Sequence, residues 1–337
     1  SRRHAYREAM SNLETAPVET ECRSAPGSPD HLELIEPRLV PLGGPRAALV
    51  RRTLPARGRS LIGPWCFVDH YGPTDLSTRP GMTVPPHPHT GLQTVTWLFS
   101  GDVEHRDSVG SVQEIRPGQL NLMTAGRGIS HSEVSVPGTR LLHGVQLWVA
   151  LPDARRHGAP GFEHHADLPV VELGDLGAEA VVIMGSLGGQ TSPATAYSPI
   201  VAAELLLPAG SRVELPVDSA FEHGLLVDSG DVEVDGEAVP SWSLAYVAPG
   251  RSGITVSASA SASARLLLLG GAPFAEDILM WWNFVARTHE EVVAARDEWQ
   301  AGLEEGSERF GRVEGFDGPP LPAPQLPRVR LVPRSQR

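Results

Sequence analysis

His87-Pro88-His89 and, further along, His131-Ser132-Glu133 are the residues of this chain whose types and spacing carry chemistry. In extended chain, residues two apart point to the same face, so each triplet is a two-pronged clamp. Brought together on facing strands, the clamps supply three imidazoles and one carboxylate, a donor set suited to Fe(II), Mn(II), Ni(II), Cu(II) or Zn(II). A divalent ion so held keeps a net positive charge and draws an anionic oxygen ligand into an open position. A lone histidine is more often packed or at the surface, but two paired spacings are harder to dismiss. His143 shares strand parity with Leu141, Val145, Leu147 and Val149, which predicts a core or rim histidine. His157, His164, His165, His223 and His289 have no partner at clamp spacing and are expected to be surface or structural.

The clamps require strands, and most of the chain reads as strands. Short runs rich in Val, Leu, Thr and Trp alternate with Gly, Pro and Asp turns, as in Thr94 to Phe99, Leu141 to Leu151, Val201 to Leu207 and Arg265 to Leu269. One helix is predicted, running through Trp299 or Gln300: Thr288 caps its start, Glu291 stands where a capping box requires, and Val292, Val293 and Trp299 supply an apolar face. The pentapeptide Ser100-Gly101-Asp102-Val103-Glu104 recurs unchanged at Ser229 to Glu233, and Gly126-Arg127-Gly128-Ile129-Ser130 resembles Gly250 to Thr255. Two matches in the same order, each after an apolar strand, point to a duplicated β-barrel.

The expected organisation is a polar, turn-rich mobile leader over residues 1–30, a metal-binding first barrel over 31–165, a second barrel over 166–285, a helical segment within 286–317 and a proline-rich tail over 318–337. Sliding the clamp positions along by the pentapeptide offset puts Pro216 and Asp218 opposite His87 and His89. Aligning the glycine-arginine turns puts Val256 and Ala258 opposite His131 and Glu133, so the second barrel is expected to hold no metal of this kind.

Composition excludes several classes. A formal net charge of −12, with no cationic block except at the ends, disfavours direct nucleic-acid binding. The longest apolar run, around Leu266 to Leu269, falls far short of the ~20 residues that span a bilayer. Residues 1–14 lack the apolar region of a signal peptide, and Cys22 and Cys66 lie too far apart in sequence to suggest a structural bridge. A soluble protein of the reducing cytoplasm is the expectation. His105-Arg106-Asp107 has the form of a kinase catalytic loop but lacks the accompanying asparagine, glycine loop and lysine. Arg116-Pro117-Gly118-Gln119 and Gly126-Arg127-Gly128 read as turns, the second delivering His131.

Taken together, His87-Pro88-His89-Thr90-Gly91, Thr94-Val95-Thr96, Glu104-His105-Arg106-Asp107-Ser108, Met123 to Gly128 and His131-Ser132-Glu133 resemble the pirin family. The likeness runs on through Gly270-Gly271-Ala272-Pro273 and Trp281 to Val285, covering roughly residues 35–315. It implies an all-β bicupin, two tandem jelly-roll barrels with a short C-terminal helix. It also implies iron held by the positions His87, His89, His131 and Glu133. For function it implies an Fe(II)-dependent, quercetinase-like dioxygenase acting on flavonols or related enols, with Glu133 as base. The other family role is a non-catalytic, iron-dependent regulator whose redox state alters binding to a protein partner. Gln93 stands where the family usually has glutamate, a change expected to remove a second carboxylate near the metal.

Overall fold

The computed structural model describes residues 14, 16–27, 31–41, 49–78, 81–174 and 176–326; most of the expected leader and the end of the expected tail lie outside them. Its first barrel closes a seven-stranded sheet over a four-stranded one. The large sheet runs in the order Gly161–His165, Leu120–Thr124, Leu92–Ser100, Leu141–Ala150, Trp65–Asp75, Leu49–Leu54, Arg38–Pro41. The small one runs Thr83–His89, Ile129–Ser135, Val103–Asp107, Val112–Ile115. All neighbours pair antiparallel.

The second barrel repeats this plan. Its four-stranded sheet, Arg212–Pro216, Gly253–Ala258, Val232–Val234, Glu237–Val239, has the same order as the small sheet of the first. Its larger sheet begins at Val170–Glu172, so the first barrel ends by His165 and the second starts within five residues. Glu33–Ile35 departs from the expected division: it forms the far edge of the second barrel's sheet, paired with Leu244–Val247. Within the segment expected to be a mobile leader, Thr20–Cys22 also pairs, with Ile278–Met280.

The two barrels pack through the outward faces of their large sheets. Val95, Trp97, Val145 and Leu147 meet Ile183, Leu226, Leu267 and Leu269 in one buried cluster. Burying each such side chain is worth ~1.5–3 kcal/mol. Polar groups inside this seam are satisfied across it: Trp97 Nε1 donates to Glu204 Oε2 (3.1 Å), Trp65 Nε1 to the Gly270 carbonyl (3.1 Å), and the Gly63 backbone to Glu222 Oε2 (2.6 Å).

The helix is His289–Ala301, shorter than the segment allotted to it, and residues 302–317 are turns and irregular chain. Thr288 is its cap, accepting from the Glu291 backbone (3.2 Å), while Glu291 Oε2 accepts from Arg287 N (2.8 Å). Val292, Ala295 and Trp299 face inward. Among the described residues, no helix is long and apolar enough to cross a membrane. Cys22 and Cys66 are unbridged and buried in one apolar cluster, where burial pushes the Cys22 thiol up to about 12.

Candidate metal centre

Thr83–His89 and Ile129–Ser135 lie side by side, with His131 opposite His87 and Ile129 opposite His89. An irregularity between His131 and Glu133 shifts the register there. Strand alternation turns His87, His89, His131 and Glu133 toward the barrel interior, where none is more than 1% exposed. One ring nitrogen from each histidine lies within 4.8 Å of the other two. Glu133 joins the group through His131 and His105, whose donor atoms lie within the same distance of its carboxylate.

The outer nitrogen of each ring is occupied, and this decides where the lone pairs point. His87 Nδ1 donates to the Pro85 carbonyl (2.9 Å) and His89 Nδ1 to the Asn283 carbonyl (3.1 Å). His131 Nδ1 lies 3.3 Å from His105 Nδ1, and His105 Nε2 donates to Asp107 Oδ2 (2.9 Å). Asp107 is in turn held by the backbone of Val109 and Ser111 (3.0 and 2.9 Å). All three Nε2 atoms are therefore unprotonated and face inward, the arrangement that partners behind a metal-bound imidazole impose.

Two of these lone pairs, on His89 Nε2 and His131 Nε2, face each other at 3.1 Å, and neither has a proton to share. His87 Nε2 and Glu133 Oε2 are buried without any hydrogen-bond partner. Such orphaned groups are costly unless something occupies the space between them. A divalent cation among the three Nε2 atoms would relieve them, and Glu133, grouped with His131 and His105, brings a carboxylate beside them, so the residues present fit a metal ion. Burial lowers His87 to about 4 and holds His89 and His131 well below the ordinary imidazole range, keeping all three neutral at pH 7. Burial also raises the Glu133 carboxyl to about 8, against the opposing influence of Thr96. Thr96 Oγ1 is within donating distance of both Glu133 Oε1 (3.3 Å) and Gln146 Oε1 (3.0 Å).

Several expectations are corrected. Gln93 has the opposite strand parity to Thr96, so it faces the second half of the chain rather than the histidines. Its Nε2 donates to Thr124 Oγ1 (3.0 Å) and the Thr195 carbonyl (3.1 Å), so its departure from glutamate does not alter the imidazole cluster directly. The positions matching His87 and His89 in the second barrel are Val213 and Leu215, opposite Val256 and Ile254, not Pro216 and Asp218. The stretch from Leu215 to Ser229 is three residues longer than that from His89 to Ser100, which throws off the slide. Val213, Leu215, Val256 and Ala258 are all buried and apolar. His223, expected to be surface or structural, is buried, with Nε2 unpartnered.

His105 and Asp107, set aside as a failed kinase motif, stand directly behind His131; their two-residue spacing on a neighbouring strand is the clamp signal over again. His70 carried no signal. It meets His143 and Asp228 at the seam between barrels, each Nε2 pointing at Asp228 Oδ1 (2.6 and 2.7 Å). Arg51 Nη1 lies 3.4 Å from His70 Nδ1, leaving the lone pair there and the proton on Nε2. That cluster is a hydrogen-bonded link rather than an open donor set.

Two family models match the chain, one described as Pirin over residues 47–149 and one as the Pirin C-terminal cupin domain over 202–305. A Pseudomonas aeruginosa protein provisionally named a quercetin 2,3-dioxygenase is 44% identical over 319 residues, 94% of this chain and 98% of that one. A solved quercetin 2,3-dioxygenase of Acinetobacter baumannii is 39% identical with a TM-score of 0.83, covering 89% of this chain and 97% of its own. A pirin of Escherichia coli solved with nickel(II) shares the fold at 18% identity and a TM-score of 0.56, over 73% of this chain and all of that one.

Proposed function

The chain belongs to the pirin family, and from that premise we propose that its first barrel is the working half of an Fe(II)-dependent dioxygenase acting on flavonols or related enols. His87, His89, His131 and Glu133 would hold the metal, with Mn, Ni, Cu or Zn as other divalent candidates. When bound, iron supplies a positive charge for an enolate oxygen and the redox capacity that dioxygen chemistry needs. The chain's own residues supply the rest. The Nδ1 partners keep the imidazoles fixed, and the buried interior keeps them neutral and excludes bulk water. Glu133, once ionised, would take the substrate's hydroxyl proton through a carboxylate oxygen that partly leaves the metal, with Thr96 Oγ1 beside Oε1 (3.3 Å).

The single observation that carries this reading is the inward-facing set of unpartnered atoms at His87, His89, His131 and Glu133. It is tested by loading the protein with Fe(II) without oxygen, adding quercetin and then oxygen, and following substrate absorbance. Oxygen-dependent loss of quercetin, abolished by His89→Ala, is expected; an unchanged rate in that variant sinks the enzymatic reading. The complete burial of the four side chains favours a second reading, an iron-dependent redox sensor that binds a regulatory partner. A partner retained from native lysate by one oxidation state and not by the other would establish it.

A further inference from the structure

Arg127 stands on the turn that leads into His131, and the metal centre makes no use of it. Its backbone N–H donates to the Gly158 carbonyl (2.9 Å), while its exposed guanidinium has no ion-pair or hydrogen-bond partner among the described residues. Arg127 borders a cavity of about 110 Å³ together with Arg156, His157, Arg309 and, as the one acid, Glu291. Three arginines against one carboxylate is a local reversal in a chain whose acidic residues outnumber its basic ones by 40 to 28. Close backbone approaches hold these walls together. A Cβ at Gly128 would collide with Arg309 Cγ, so the stem of Arg309 lies on the turn itself. A Cβ at Gly126, where φ is +53°, would collide with the Gly158 carbonyl oxygen, so the turn is seated against the segment that carries Arg156 and His157.

The ion pairs show how much of this positive charge is open. Arg156 is fully engaged, Nε on Asp153 (2.7 Å) and both terminal nitrogens on Glu291 (3.0 Å each), so it cancels the cavity's own acid. Arg309 gives only Nε to Glu298 (3.2 Å), a carboxylate 38% exposed and outside the cavity wall, where solvent screens the pair. The terminal nitrogens of Arg309 and the whole fork of Arg127 remain. We propose that the cavity binds a phosphate group, free or as the terminus of a small monoester, between Arg127 and Arg309. A guanidinium fork matches phosphate or carboxylate oxygens two at a time. One fork fills a carboxylate, whereas a phosphate has oxygens and charge for both. The volume agrees: it is several times the ~30 Å³ share of a water molecule and well below the ~300 Å³ at which pockets for drug-sized ligands begin. A group of a few atoms fits, and the remainder of a larger molecule stays outside. The site does not depend on the dioxygenase reading, although its wall includes Thr90 and Gly91 just after His89 and the turn just before His131.

The test titrates the metal-loaded full chain with inorganic phosphate, glycerol phosphate and acetate at low ionic strength, read by calorimetry. One phosphate per chain is expected, with acetate at least tenfold weaker and affinity falling as salt is added. Arg127→Gln and Arg309→Gln are each expected to weaken phosphate about ten- to hundredfold, the value of a hydrogen bond to a charged group. Arg116→Gln, an arginine 63% exposed on a different turn, is expected to leave it unchanged. Arg127 is exposed and unpaired, so its variant is expected to fold, which an unchanged Tm and metal content would confirm. Tighter binding of glycerol phosphate than of the free ion identifies a monoester as the occupant, and the reverse order the free ion; either upholds the site. Phosphate held by the metal or by general surface charge would not tell Arg127→Gln from Arg116→Gln. Equal affinity in those two variants and the wild type, or no binding to the wild type at millimolar phosphate, overturns the proposal whether or not quercetin is turned over.

Discussion

His89 and His131 face each other Nε2 to Nε2 at 3.1 Å, and the other nitrogen of each ring is engaged elsewhere. Neither imidazole carries a proton to place between them, so the contact is repulsive until a cation or a proton intervenes.

Metal loading is therefore expected to stabilise the protein. At a free metal concentration a hundredfold above Kd the gain is about 2.7 kcal/mol, a rise of several degrees in Tm. Calorimetry before and after chelation measures it. His89→Ala is expected to abolish the difference, with metal content by elemental analysis falling in step.

Binding is also expected to release a proton. Glu133 in the metal-free protein titrates near 8, so at pH 7 it must lose its proton before it can act as a ligand. Apparent affinity then rises with pH and levels off above about 8. Titrations in buffers of different ionisation enthalpy are expected to count one proton more for the wild type than for Glu133→Gln.

The same carboxyl sets a pH dependence on stability. Its folded pKa is raised above the ordinary carboxyl value of 4.5, so its contribution is complete below 4.5 and is lost as pH climbs towards about 8. His87, lowered to about 4 from 6.5, acts only on the acid side: its contribution is complete above 6.5 and fades as pH falls through 4. Between pH 6.5 and 8, Tm of the metal-free wild type should fall more steeply than that of Glu133→Gln. Parallel curves would show that Glu133 ionises freely in the folded protein.

His105→Phe removes the acceptor behind His131 while keeping a ring against Phe162, which stacks on His105 at 4.5 Å. Loss of such a partner commonly costs ~10–100-fold in metal affinity. Chelator competition is the measurement, and unchanged affinity would mean that His131 is oriented by packing alone.

Thr288→Ala deletes the helix cap and should cost ~1 kcal/mol in denaturant unfolding. The metal centre lies outside this contact, so metal content is expected to stay the same.

What was legible in the sequence follows from the range of each signal. The alternation in His87-Pro88-His89 and His131-Ser132-Glu133 is a two-residue pattern, readable without any knowledge of neighbours, and so is the Thr288 cap. The duplication was legible in order but not in register, because loop length between strands leaves no mark on alternation; hence the three-residue error at Val213 and Leu215. Gln93 was misplaced for want of parity: three residues from Thr96, it points the other way. Glu33–Ile35 and Thr20–Cys22 are too short to show a period, and their partners lie more than two hundred residues away.

The placement of Glu33–Ile35 has a consequence for any attempt to dissect the molecule. A fragment beginning near residue 166 would present the bare edge of Leu244–Val247, a ready template for aggregation. One ending near 165 would carry an orphan segment with nothing to pair to. During synthesis the ribosome releases that segment some two hundred residues before its partner, so it stays unpaired until the strands of the second half emerge. Interlocked in this way, the halves of the ancient duplication are no longer separable parts.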